Sequence, residues 1–138
     1  MNIIKETEVA YMTESTSRSW IGIARKGLAF EDFAQLYEMA PYSLQDWSHI
    51  LGLSDRSLQR YQKSGGRFSM AVSEKLLMLA HLFNRGIEVF GSSERFFAWM
   101  RKPSAAFNQS RPFDLLDSMF GIQLLLDELG RIEHGIVA

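Results

Sequence analysis

LQDWSHILGLSDRSLQRYQK, residues 44–63, encodes two short helices, a tight turn and a polar, cationic outer face. Leu44, Trp47, Ile50 and Leu51 recur at helical spacing, which predicts one buried stripe on the first helix. Gly52 stands where a left-handed residue ends a helix. Ser54 is a cap for the second helix, whose Leu58 and Tyr61 point inward while Arg56, Gln59, Arg60 and Lys63 share the opposite face. Arginine and glutamine pair with base edges in bidentate geometry, and lysine and arginine hold phosphates, so this face has the chemistry of major-groove reading. The candidate DNA contacts are Ser54, Arg56, Ser57, Gln59, Arg60 and Lys63. The same spacing also fits an ordinary helical hairpin with a solvated charged face.

The flanking sequence extends the helical pattern. Phe33, Leu36, Tyr37 and Ala40 mark an amphipathic helix that Pro41 stops, and Ser43 with Asp46 three positions on caps the hairpin's first helix. Ser69 opens the longest helix, whose inner side carries Val72, Leu76, Leu79, Ala80, Phe83, Ile87 and Phe90. Gly86 interrupts it as a tolerated residue or a kink, and Gly91 ends it. A short helix from about Ser92 presents Phe96, Trp99 and Met100, and RKPSAAFNQSRP makes an irregular connection. Pro112 opens a further helix bearing Leu115, Leu116, Met119 and Phe120, Gly121 separates it from the last one, and Ile122, Leu125, Leu126, Leu129 and Ile132 line that last helix up to Gly135. No alternating pattern marks a strand. The expectation is an all-α protein of about seven helices: a polar tail over 1–26, a helix-turn-helix domain over 27–91 and a small helical domain over 92–138.

Composition excludes several classes. The 138 residues are 46% hydrophobic, enough for a sizeable core or two small lobes. With no cysteine there is no disulfide framework, thiol nucleophile or thiolate metal site, which fits a reducing cytoplasm. No apolar run is long enough to cross a bilayer, and the first twenty residues do not resemble a signal peptide, so a soluble cytoplasmic protein is expected. The three histidines, His49, His81 and His134, lie far apart, and His49 and His81 read as solvent-facing. Glu133 and His134 are sequence neighbours on a helix and point apart, and Gly65 with Gly66 lacks the strand and lysine of a phosphate loop. Neither a catalytic residue, a metal site nor a cofactor site is indicated.

The net charge of −1 rules out bulk cationic attraction to nucleic acid, so any DNA contact is local. The charges are uneven. Between Ser54 and Lys75 five cations (Arg56, Arg60, Lys63, Arg67, Lys75) stand against two acids, whereas from Phe113 onward five acids (Asp114, Asp117, Asp127, Glu128, Glu133) stand against Arg131. A basic middle and an acidic end point to two partners, and the small number of cations points to two copies on adjacent half-sites. The apolar tip Ile136, Val137 and Ala138 calls for a cover, from its own core or from another protein.

These residues carry a resemblance. A hairpin ending SDRSLQRY, a long helix running into EVFG, the segment SERFFAWMRKPSAAFNQSRPFDLLDSMFG and the close LLLDELGRIEHGIVA resemble the Xre/MbcA/ParS antitoxin family, partners of RES-domain toxins in bacterial type II toxin-antitoxin pairs. The resemblance spans Gly27 to Ala138, and its more specific part is the spacing from Trp99 and Pro103 through Phe107, Pro112, Leu115, Leu116 and Gly121 to Leu129, Ile132, Glu133 and Gly135. It implies a non-enzymatic homodimer whose first domain binds operator DNA of its own operon and whose last domain docks on the toxin. The extreme C-terminus would then block the toxin's cleft. NAD would be the toxin's substrate and is not bound by this chain. The implied toxin contacts are Trp99, Arg131, Glu133, His134, Gly135, Ile136, Val137 and Ala138. A stand-alone helix-turn-helix regulator and a helical adaptor without DNA binding are the competing readings.

Overall fold

The computed structural model describes residues 1–135; Ile136, Val137 and Ala138 lie outside the described residues. The described chain is helical, with α1 (Ile3–Glu6), α2 (Glu14–Lys26), α3 (Phe30–Met39), α4 (Leu44–Leu51), α5 (Asp55–Ser64), α6 (Met70–Phe90), α7 (Ser93–Met100) and α8 (Met119–Glu133), and two 3-10 turns at Ala105–Phe107 and Pro112–Leu115. Among the described residues no helix is long and apolar enough to cross a membrane. The chain divides into two compact units, Met1–His81 and a second beginning at Leu82. The division therefore falls within α6, ten residues before the expected boundary near Gly91.

Residues 1–26, read from sequence as a tail, carry two helices. The polar run TESTSRS is the outer face and cap of α2: the Thr13 hydroxyl accepts from the Thr16 amide at 3.1 Å, and Arg18 pairs with Glu14 one turn back. The inner face is only Trp20 and Ala24, both buried, too narrow a stripe to stand out against so many polar neighbours. Trp20 meets the His81 ring edge-on at 5.7 Å, and a His81 ring nitrogen lies 3.4 Å from the Thr7 carbonyl oxygen. His81 is thus buried beneath the N-terminal segment, contrary to its expected solvent exposure. Ile3 is also buried, and its amide donates to the Gln35 side chain of α3 at 2.9 Å.

The core of the first unit gathers around Phe33, Leu36, Trp47, Ile50, Leu58, Phe68, Leu76 and Leu79, all buried. Tyr37 departs from expectation and faces solvent. The link from α2 to α3 passes close under the link from α5 to α6: Phe68 donates to the Leu28 carbonyl at 2.9 Å, and the Leu28 amide donates to the buried Ser73 hydroxyl at 2.9 Å. Gly27 makes this approach possible, with φ of 90° and the Phe68 oxygen 2.6 Å from where a β-carbon would stand.

In the second unit Phe83, Phe96, Phe97, Met100, Leu116, Ile122, Leu125 and Leu129 are buried. Two glycines are packing positions here. A β-carbon at Gly86 would lie 2.0 Å from the Phe96 ring, and one at Gly121 would lie 2.1 Å from the Leu115 oxygen. Gly121 sits in the first turn of α8, capped by Ser118, so it joins the helix expected to follow it instead of separating two helices; Pro112 opens only a 3-10 turn.

Gly86→Ala is expected to destabilise by roughly 1–3 kcal/mol through overpacking against Phe96. Gly130→Ala, also within a helix but with nothing within 4 Å of the added carbon, is expected to stabilise by roughly 0.5–1 kcal/mol. Urea denaturation of both variants checks the opposite signs, and equal effects would contradict this account of Gly86.

Candidate functional site

The hairpin forms as its residues dictate. Ser43 and Asp46 exchange hydrogen bonds at 3.0 Å across the first turn of α4, and Gly52 at φ 68° turns the chain out of that helix. The Ser54 hydroxyl accepts from the Ser57 amide at 3.0 Å to cap α5, and Ser48 of α4 donates to Asp55, tying the two helices together. Leu58 is the fully buried residue of α5, and the Tyr61 ring packs at a tilt against Phe68 with ring centres 4.6 Å apart.

Apart from the half-buried Ser57, the rest of α5 faces outward. Arg56, Gln59, Arg60 and Lys63 are exposed and fall at i, i+3, i+4 and i+7, on one side of the helix. Among the described residues none of Arg56, Arg60 and Lys63 is held in an ion pair, so all three cations are available to a partner. The other two cations of the basic middle are used internally: Arg67 donates to the Gly27 carbonyl at 2.8 Å, and Lys75 donates to the Ile50 carbonyl at the end of α4 at 2.9 Å. Ser54 and Ser57 are occupied in the cap, their hydroxyls 3.0 Å apart. The cationic surface narrows from five residues to three, all on α5.

The C-terminal candidates are less uniform. Trp99 is half-buried in an aromatic cluster, 5.3 Å from Phe90 and 6.1 Å from Phe96. Arg131 pairs with the buried Glu128 at 2.8 Å, and Glu133 pairs with Arg85 at 2.9 Å, so both already have partners within the unit. His134 and Gly135 are exposed at the end of α8. Ile136, Val137 and Ala138 lie outside the described residues.

Sequence reasoning missed Arg85, because a lone arginine on an apolar helix reads as a solvated charge. Its side chain is only 9% exposed and reaches both Glu88 and Glu133, at 3.4 and 2.9 Å. The last turn of α8 is thereby fastened to α6 within the second unit. Nearby in sequence, Arg111 forks onto Asp114 at 2.7 Å and holds that carboxyl below the usual carboxylate range through its side-chain hydrogen bond. The pair adds stability above the ordinary carboxylate range and loses it as pH falls through the lowered value, and its exposure keeps the contribution small.

Also missed were Phe120 and Leu124. Periodicity marks them simply as apolar, yet they lie on the outer side of α8, 86% and 50% exposed. Asp127 and Arg131 continue the same stripe. Among the described residues no group of three histidine or acidic side chains is arranged to hold a metal ion.

Residues 19–81 match the antitoxin Xre-like helix-turn-helix domain, and residues 85–135 match the antitoxin Xre/MbcA/ParS C-terminal toxin-binding domain. The first match includes most of α2 and ends at His81, where the first compact unit also ends. The chain is 25% identical over 117 residues to an antitoxin Xre of Photorhabdus laumondii, covering 84% of this chain and 79% of that protein. It is 29% identical over 86 residues to an antitoxin Xre of Yersinia enterocolitica, covering 62% of this chain and 58% of the relative. It is 27% identical over 127 residues to a Sphingobium protein named Prs ADP-ribosylating antitoxin, covering 86% and 80%.

Arg85→Met is expected to lower the stability of the second unit by roughly 1–3 kcal/mol, below the figure for a wholly enclosed ion pair because Glu133 is partly solvated. Glu133→Gln should add little in that background. A double-mutant cycle read by thermal unfolding checks the coupling; fully additive effects would contradict the fastening role.

Proposed function

The chain belongs to the Xre/MbcA/ParS antitoxin family, and on that premise we propose that it neutralises a RES-type, NAD-consuming toxin and represses its own operon as a DNA-bound homodimer. The observation that carries this reading is the match of residues 85–135 to a toxin-binding domain beside an intact helix-turn-helix. ADP-ribosyl transfer draws on NAD, so the name of the Sphingobium relative supports an NAD-consuming target.

The second unit binds the toxin, and the chain end from Gly135 onward covers the mouth of the toxin's NAD cleft. Inhibition is by occlusion. Catalysis is left to the toxin, and this chain binds neither NAD nor a metal. Trp99, Arg131, Glu133 and His134 flank the contact. Glu133 and Arg131 act first on their own fold, since Arg85 and Glu128 hold them. The first unit inserts α5 in the major groove, where Arg56, Gln59 and Arg60 reach base edges and Lys63 a phosphate, with the Ser54–Ser57 cap presenting the free amides of the helix N-terminus to a neighbouring phosphate. Two copies bring six such cations to the operator, which compensates for an overall charge of −1. The protein acts in the cytoplasm, where operator and toxin both occur.

Co-expression tests the reading. A RES-type reading frame beside this gene should arrest growth and lower cellular NAD alone, and both should recover with this chain present; a chain that leaves growth arrest unchanged refutes it. For DNA, Arg60→Ala should weaken binding to the operon's own promoter fragment by roughly 1–3 kcal/mol. Lys63→Ala should weaken it for all sequences and reduce the slope against log salt by about one. Fluorescence anisotropy at several salt concentrations measures both, and unchanged affinity in the two variants would exclude α5 as the reading helix.

A further inference from the structure

α8 has filled its inner side. Gly121, Ile122, Leu125, Glu128 and Leu129 are buried, which closes the core of the second unit without help from the opposite stripe. On that stripe stand Phe120 and Leu124, one turn apart, with Asp127 a turn further. Among the described residues Phe120 is the most exposed large hydrophobic side chain. Phe120 packs little against its own unit and Leu124 leaves half of its surface to solvent, and an aromatic ring beside a leucine on a rigid helix has the composition and spacing of an interface anchor.

We propose that Phe120 and Leu124 are the grip by which this chain holds its toxin, seating in an apolar hollow whose rim carries a cation facing Asp127. The inference rests on the antitoxin reading above and adds where the affinity lies. Two observations favour the toxin as occupant, the first and the last below, and the charge beside the pair sets the chemistry of the contact. The face lies wholly inside the segment matched to the toxin-binding domain. The charge of the stripe next to the apolar pair is acidic, with Asp127 exposed and Arg131 turned back onto Glu128, so a basic rim complements it. Trp99 and Glu133, candidates implied by the family resemblance, are committed to their own unit, whereas Phe120 and Leu124 are free to bury on contact. Grip and plug are then separate parts: the α8 face supplies binding, and the chain end supplies occlusion.

The test uses the full chain and the purified product of the adjacent RES-type reading frame. Phe120→Ala/Leu124→Ala trims one side chain that is mostly exposed and one that is half exposed, so its circular dichroism and promoter binding should match the wild type and its thermal midpoint should fall only slightly. Its toxin affinity, by calorimetry, should fall by roughly 100-fold or more. Phe120→Leu/Leu124→Met should keep most of the affinity. A chain shortened after Gly135 should still bind the toxin while inhibiting it less. Wild-type affinity in the alanine variant overturns the proposal. So does a dimer that becomes monomeric in that variant with toxin binding unchanged, which would assign the face to a second copy. A wild-type chain that fails to bind the toxin at all sinks the antitoxin reading itself, and this inference with it.

Discussion

Trp47 packed edge-to-face on Phe33, with ring centres 5.3 Å apart and both residues buried, is the contact on which the first unit depends. Such a pair contributes about 0.5–1.5 kcal/mol beyond the area it buries. Its larger effect is directional. With Trp47 fixed in the core, α4 cannot rotate, Gly52 sets where the chain emerges, and α5 must lie with Leu58 and Tyr61 inward. A ten-residue helix as polar as α5 would not persist alone. It persists because the aromatic cluster of Phe33, Trp47 and Phe68 gives it a floor, and that floor claims so little of α5 that one whole side remains for a partner.

The second unit follows a related logic. Phe96 rests on the bare backbone of Gly86, which lets α7 approach α6 closely enough to bury Phe97 and Met100 as well. Gly121 does the same between α8 and the turn before it. Close approach at these two points allows one side of α8 to complete the core and leaves the other side free. In both units, a helix that buries one narrow side presents the opposite side to solvent: cationic on α5, apolar with an acidic end on α8.

The hairpin was legible in the sequence because each of its parts has a local cause. Ser43, Ser54 and Ser69 cap the helices they were expected to cap, Gly52 takes the left-handed φ expected of it, and the longest helix stops before Gly91 as expected. What escaped depends on contacts distant in the chain. Trp20 and Ala24 make α2 a core helix only because His81 lies across from them. Periodicity left Leu124 off the inner stripe but gave Phe120, assigned to the helix before Gly121, no side to face, and it could not show that the two share one outward stripe because that stripe runs across the misplaced helix boundary. Charge counting gave five cations to the basic middle, but Arg67 and Lys75 are satisfied by carbonyl oxygens that only folding brings near. The proposed contacts at Ile136, Val137 and Ala138 fall outside the described residues.

The assignment of two partners to two separate surfaces is tested most directly by amide hydrogen exchange on the full chain. Added promoter DNA should slow exchange over residues 55–64 and leave 119–133 unchanged. Added toxin should slow exchange over 119–133 and leave 55–64 unchanged. Protection of the same helix by both partners, or of neither helix by either, would contradict it.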